Sequence, residues 1–143
     1  EFRRVLFRSA FAAQTGRVPA LAWWILCANL LWTVAYDTMY AMADRPDDLK
    51  IGLKSTAILF GQYDLLVNAV LQALALAVLG IIGWGLHLNG WYYLGLVGAA
   101  GTAVYQYRLC RGRDRDMCLK AFINNTWFGA CVFAGLVFSY RLN

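Results

Sequence analysis

One uncharged apolar run, from Leu65 to Leu86 (LLVNAVLQALALAVLGIIGWGL), restricts the possible folds more than any other feature. A helix that crosses a membrane needs about 20 predominantly apolar residues, and this run has that length. Long runs without period-two alternation favour helices over barrel strands, and helices satisfy their own backbone in lipid. The sequence therefore predicts an all-α integral membrane protein with about four transmembrane helices, at residues 20–43, 65–86, 91–107 and 121–140. The Gly- and Ala-rich third span is the shortest.

The composition agrees with this class of protein. Of the 143 residues, 61% are hydrophobic and 15% are charged, whereas soluble domains are about 45–50% apolar and about 25% charged. A soluble domain of this size leaves too much of its surface in water to hide so many apolar side chains. No basic stretch alternates with aromatic residues on a polar surface, so nucleic acid is not an expected partner.

The charged connections predict an orientation. Loops 44–64 and 108–120 together carry eight Lys and Arg residues, and the connection 87–90 carries none. With four spans, both basic loops lie on one side of the bilayer, and the positive-inside rule places that side in the cytoplasm. Residues 1–9 (EFRRVLFRS) would put three arginines on the other side, and no signal-peptide core follows them. We interpret 1–9 as an adapter-derived segment foreign to the protein and 10–143 as its own sequence.

Acidic residues gather at the end of the first span. On a helix turning 100° per residue, Asp37, Asp44 and Asp48 lie within about 20° of one line. Ionisable residues at a membrane span are functional candidates by default, and the alternative is a solvated acidic loop. Pro46 disfavours helical geometry at the preceding residue, so a turn or a new helix start at this point is a second possibility.

This pattern suits a metal-bound diphosphate. Mg²⁺ prefers oxygen ligands and is usually held by one or two carboxylates together with substrate phosphates. We predict Asp44 and Asp48 as Mg²⁺ ligands. Lys50 and Lys54 would neutralise phosphate charge. Asp64 lies beyond the acidic cluster, beside the next span, and we expect its replacement to be tolerated.

A family resemblance sharpens the prediction. The run YDTMYAMADRPDDLKIGLKSTAILFG, the segment GWYYLG and the closing CLKAFINNTWFG resemble the UbiA-type membrane prenyltransferases, in particular their 4-hydroxybenzoate branch, from about Phe11 onwards. The resemblance implies Mg²⁺-dependent transfer of a polyprenyl group from polyprenyl diphosphate to the ring of 4-hydroxybenzoate, in ubiquinone synthesis. The catalytic metal ligands are then Asp44 and Asp48, and the substrate-binding or supporting residues are Asp37, Asp47, Lys50 and Lys54. Pro46 departs from the family pattern, which often has an acidic or polar residue there.

The resemblance also predicts what surrounds this chain. Family members have earlier helices that carry a first Asn/Asp-rich motif, which is absent here, so we expect a C-terminal part that is inactive alone and lacks its N-terminal helices. The expected location is the bacterial inner membrane, with the Asp-rich loop in the cytoplasm. Two alternatives remain: a UbiA-family enzyme for another aromatic acceptor, and a transporter fragment whose intramembrane Asp residues relay ions. For Asn124 and Asn125 we expect hydrogen bonds between helices rather than a role in lining a cavity.

Overall fold

The computed structural model describes residues 13–14 and 16–142. The described part of the chain is almost entirely helical and contains no β-strand. Its elements are α1 (Ala20–Ile51), the short α2 (Thr56–Phe60), a 3₁₀ turn (Gly61–Tyr63), α3 (Asp64–Gly85), α4 (Gly90–Cys110) and α5 (Arg115–Arg141). The prediction of an all-α bundle with four long helices is confirmed, whereas the interpretation of residues 1–9 lies outside the described residues.

Helix α1 is longer than the predicted first span and continues through the acidic cluster to Ile51. Pro46 lies inside it. Proline removes one helical hydrogen bond, but the helix resumes its pattern and ends at Gly52, whose φ of 71° is the left-handed conformation typical of a C-terminal cap. The amides of Gly52 and Leu53 both donate to the carbonyl oxygen of Asp48. The alternative that Asp44 and Asp48 lie on a turn or at a new helix start is therefore wrong.

Three helical segments are long and apolar enough to cross a membrane: α1, the stretch Thr56–Gly85, and α5. Large apolar side chains on the outer faces point away from the bundle, and 77% of Trp84 and 68% of Phe133 is exposed. Helix α4 has 21 residues, but among the described helices it is not one of those that are apolar enough along a continuous stretch to cross a membrane. The exposed apolar surface is the kind that a protein presents to lipid.

Helices α4 and α5 pack backbone against backbone. A side-chain Cβ on Gly95 would lie 2.6 Å from the carbonyl oxygen of Cys131 and 2.8 Å from the Cα atom of Gly135. Only glycine fits at such a distance, and small residues commonly allow membrane helices to approach each other this closely. This contact explains the glycine at position 95 of α4.

Hydrogen bonds between buried polar side chains join the helices across the middle of the bundle. Gln72 of α3 donates to Gln106 of α4 at 2.9 Å, and Gln106 donates to Asn124 of α5 at 3.5 Å. The indole N–H of Trp32 in α1 donates to the side-chain oxygen of Asn125 at 3.1 Å. The expectation that Asn124 and Asn125 form hydrogen bonds between helices is confirmed, although Asn125 also lines a cavity.

The two ends of the bundle differ in character. At one end, Asn89 caps α4 and donates two hydrogen bonds to Ser139 near the end of α5, one to its hydroxyl oxygen and one to its carbonyl oxygen. At the other end, the last turns of α1, the start of α3, the loop between α4 and α5 and the start of α5 meet through ion pairs. Residues of the two basic loops thus meet at one end of the bundle, and this charged end contains the candidate site.

Candidate active site at the charged end of the bundle

The predicted metal ligands lie on one face of α1. Because α1 is continuous, Asp37, Asp44 and Asp48 follow the helix line that the sequence spacing predicts. The side chain of Asp44 is 29% exposed, and the hydroxyl group of Tyr40, one turn earlier, hydrogen-bonds to it. Among the described residues, Asp48 forms no ion pair. Both carboxylates can thus reach a ligand that approaches the polar end of α1.

A cation from α5 completes this face. Arg115, the first residue of α5, places Nη1 2.9 Å from Oδ2 of Asp47 and Nη2 3.6 Å from Oδ1 of Asp44. The Nζ atom of Lys50 lies 2.9 Å from the other carboxylate oxygen of Asp47. Asp47 is therefore paired with two cations, while Asp44 has only a loose contact with one.

The remaining predicted residues are less closely gathered. Asp37 is exposed on α1, two turns before Asp44. Lys54 is exposed in the link between α1 and α2, and it makes no ion pair within the described part of the chain. The structure therefore brings Asp44, Asp47, Asp48 and Lys50 together with Arg115, and leaves Asp37 and Lys54 at the margins.

A triad of charges, Arg45, Asp64 and Arg113, adjoins this face and is centred on a buried carboxylate. The side chain of Asp64 is fully buried, whereas its two partners are partly exposed. Its carboxylate accepts hydrogen bonds from Nη1 of Arg45 at 3.2 Å, from Nε of Arg113 at 3.1 Å, and from Nη2 of Arg113 at 2.8 Å. The hydrogen bonds from Arg113, together with the charge of Asp64, raise the pKa of Arg113 above its ordinary value. The triad ties α1, α3 and the loop between α4 and α5 to one carboxylate.

The sequence does not predict this triad. The expectation that Asp64 lies apart from the charged cluster and is replaceable is wrong, because its buried carboxylate pairs with two arginines. One signal was available: Asp64 is the charge that borders the uncharged run 65–86, and a charge at the edge of a span usually has a partner. The identity of the partners, Arg45 and Arg113, depends on how the helices pack and has no signature in the spacing. The same holds for Arg115.

An aromatic cleft opens between α1 and α5 beside the acidic face. Its volume is about 500 Å³, and its lining residues are Asn29, Trp32, Thr33, Tyr36, Phe122, Ile123, Asn125 and Thr126. Aromatic contacts run from the cleft towards the acidic residues: the ring centroids of Tyr36 and Phe122 are 6.0 Å apart, and those of Tyr40 and Phe122 are 5.3 Å apart. A cleft with aromatic and polar walls thus leads towards a cluster of carboxylates and cations.

The chemistry of this arrangement is that of an oxygen-donor site with cations beside it. Within the described residues, no group of three or more His, Cys, Asp or Glu side chains forms a complete metal cage. Two carboxylates one helical turn apart fit the way in which Mg²⁺ is held when phosphate oxygens and water supply the other ligands. The donor set of Asp44 and Asp48 therefore fits a Mg²⁺–diphosphate group.

Comparison with known proteins decides the family. The family model described as the UbiA prenyltransferase family matches residues 6–139. The chain belongs to the UbiA prenyltransferase family. The match begins within the segment 1–9, and the foreign origin of that segment stays a prediction. No solved structure matches this chain.

Curated UbiA relatives are similar over nearly the whole chain. The chain is 55% identical over 133 residues to the 4-hydroxybenzoate octaprenyltransferase of Aeromonas salmonicida, which covers 93% of this chain and 46% of the relative. It is 56% identical over 130 residues to the enzyme of the same name from Methylococcus capsulatus, covering 91% of this chain and 44% of the relative. The chain thus spans somewhat less than half the length of these UbiA relatives.

Proposed function

We propose that this chain supplies one metal-binding half of the active site of a membrane enzyme that transfers a polyprenyl group from polyprenyl diphosphate to the ring of 4-hydroxybenzoate, in ubiquinone biosynthesis. The observation that carries the proposal is the joining of the Asp44–Asp48 face to an aromatic cleft, with Arg115 and Lys50 beside the carboxylates. Similarity to relatives named 4-hydroxybenzoate octaprenyltransferase supports the choice of substrates. The part of the relatives that this chain does not cover would supply the other half.

In this proposal each group has a separate task. Asp44 and Asp48 would hold Mg²⁺, and the hydroxyl group of Tyr40 would orient Asp44. When bound, Mg²⁺ would supply positive charge to offset the negative charge that develops on a departing diphosphate. The cations beside the carboxylates add to that neutralisation.

The aromatic cleft receives the apolar chain and keeps water from the reacting carbon. Trp32, Tyr36 and Phe122 present ring faces and edges to the cleft, and Asn125 is held by Trp32. Exclusion of water matters because an allylic cation that meets water becomes an alcohol rather than a prenylated ring. The ring of the acceptor is electron-rich at the carbon beside its hydroxyl group, and that carbon would form the new bond to the prenyl carbon. Its proton would then leave to the departed diphosphate or to water, which restores the aromatic ring.

We further propose that the charged end faces the cytoplasm and that the protein resides in the bacterial inner membrane. The eight Lys and Arg residues of loops 44–64 and 108–120 support this orientation, since basic loops are retained on the cytoplasmic side. The family match favours a prenyltransferase over the transporter alternative. A different aromatic acceptor remains the alternative within the family.

The test uses a completed enzyme, in which this chain is joined to the part of the Aeromonas salmonicida relative that it does not cover. Replacing Asp44 or Asp48 by alanine should lower the rate of 4-hydroxybenzoate prenylation by about 10²–10³-fold or more, the usual effect of losing one preorganised charge contact. Asp116→Ala is the control, because Asp116 is exposed in the first turn of α5.

Folding must be measured alongside turnover. Removing one carboxylate from a crowded acidic cluster relieves repulsion, so the amount of enzyme in the membrane should not fall. Near-normal turnover in both variants would reject Asp44 and Asp48 as metal ligands. Inactivity that follows a loss of membrane-inserted protein would show a structural role instead.

A further inference from the structure

We propose that Arg115 binds the diphosphate of the prenyl donor directly, and that Asp47 is the positioning residue that holds Arg115 there. The inference rests on the proposed function and assigns a residue of α5 to the diphosphate site. It also assigns Asp47 a role different from that of its neighbours Asp44 and Asp48. Four features of the structure support it.

The first feature is the location of the guanidinium group. Arg115 reaches from α5 across to α1 and places one nitrogen 3.6 Å from Asp44, a proposed metal ligand. That distance is too long for a good hydrogen bond, so the contact leaves the nitrogen available to another acceptor. A diphosphate oxygen on a metal held by Asp44 would lie within the same few ångströms.

The second feature is the number of donors that remain. A guanidinium group has five N–H donors, and within the described residues only the hydrogen bond from Nη1 to Asp47 engages one of them. The side chain of Arg115 is 57% exposed, which leaves the other donors open to a ligand. The planar fork of arginine matches phosphate oxygens better than a single ammonium group does.

The third feature is the state of Asp47. One of its oxygens accepts from Lys50 at 2.9 Å and the other accepts from Arg115 at 2.9 Å. Both oxygens are therefore used by cations of the protein, whereas Asp48 forms no ion pair among the described residues. This difference separates a carboxylate that orients a cation from carboxylates that are available to a metal.

The fourth feature is the place of Arg115 in its helix. It is the first residue of α5, directly after the capping residue Asp114. A positive charge in the first turn opposes the helix macrodipole, which favours negative groups there. A local choice that works against helix stability often marks a functional position, and here the charge is directed at the acidic face of α1.

The test measures diphosphate binding apart from catalysis. Binding of inorganic pyrophosphate in the presence of Mg²⁺ to the completed enzyme is followed by titration calorimetry, and Michaelis constants are measured for both substrates. Arg115→Ala should weaken pyrophosphate binding and raise the KM for the prenyl diphosphate roughly 10- to 100-fold, the effect of losing a charge-assisted hydrogen bond. The KM for 4-hydroxybenzoate should stay within twofold of the parent value. Arg115→Lys should restore part of the affinity, because it keeps the charge and loses the fork.

The positioning role of Asp47 has its own test. Asp47→Asn should weaken pyrophosphate binding in the same direction but less, and Asp47→Glu should restore part of the loss. The double variant Asp47→Asn with Arg115→Ala should bind no more weakly than Arg115→Ala alone, because Asp47 acts only through Arg115. Arg111→Ala is the matched control, since Arg111 is an exposed arginine in the loop that precedes α5.

Each outcome is decisive. The inference would be overturned if Arg115→Ala keeps a pyrophosphate affinity within twofold of the parent. It would also be overturned if Arg111→Ala loses as much affinity as Arg115→Ala, because that would show only a long-range effect of charge. If Arg115→Ala fails to fold, full pyrophosphate affinity in Asp47→Asn would overturn it. If the parent completed enzyme does not bind Mg²⁺–pyrophosphate, the proposed function fails as well. Binding by the parent with no effect of Arg115 rejects this inference alone.

Discussion

Removing the charge of Asp64 is the most demanding test of the packing described above. Asp64→Asn keeps the size of the side chain but leaves two guanidinium groups, those of Arg45 and Arg113, facing a neutral amide. The carboxylate now accepts hydrogen bonds from these groups at 2.8–3.2 Å while fully buried. Its replacement should therefore destabilise the contact between α1, α3 and the loop between α4 and α5.

The expected loss of stability follows from the burial of Asp64 and the partial exposure of its two partners. Breaking a buried ion pair by removing one partner costs about 3–5 kcal/mol. The side chains of Arg45 and Arg113 are 32% and 41% exposed, so both regain some hydration and the cost is reduced. We expect Asp64→Asn to lower the free energy of unfolding by about 3 kcal/mol, the low end of that range.

The assay is reversible unfolding of the protein in mixed micelles by increasing fractions of SDS, followed by tryptophan fluorescence. Asp116→Asn is the matched control, because it removes the same charge at an exposed position and should change the free energy of unfolding by less than about 0.5 kcal/mol. A loss below about 1 kcal/mol for Asp64→Asn would refute the reasoning, since it would lie well under the buried-pair range. Equal losses in both variants would do the same.

Two further predictions concern the bundle as a whole. Gly95→Leu should lower the free energy of unfolding by more than about 3 kcal/mol, because backbone atoms cannot move aside as side chains do. Gly101→Leu is the control and should be tolerated, because there is open space around Gly101. Unfolding of both variants in SDS is the measurement. In intact cells, with Cys27 replaced by alanine, an impermeant thiol reagent should label Gly90→Cys and leave Gln62→Cys unlabelled. The reverse pattern would invert the proposed orientation.

Much of the fold follows from the sequence because the membrane restricts it. Length and lack of charge in 65–86 are enough to predict α3 nearly to its ends. The predicted first span, 20–43, stops where polar residues begin and does not give the end of the helix, which continues to Ile51. A helix at a membrane surface can continue into water when a cap such as Gly52 satisfies its last carbonyl groups.

The candidate site was predictable only in part. The spacing of Asp44 and Asp48 is a local property, and a continuous helix is enough to place them on one face. The positions of Arg113 and Arg115 depend on how the start of α5 and the loop before it meet the end of α1 and the start of α3. These contacts join residues that are far apart in the sequence. Loop charges predict that such cations share a side of the membrane, but not which carboxylate each one meets.

The backbone contact between Gly95 of α4 and Gly135 of α5 has a consequence for biogenesis. Helix α4 is not among the described segments that are apolar enough along a continuous stretch to cross a membrane by themselves, whereas α5, which is synthesised next, is. A helix of that kind gains from a partner whose surface is complementary to its glycine-lined face. We therefore expect α4 and α5 to enter the bilayer as a paired hairpin, with α5 holding in place the helix made just before it.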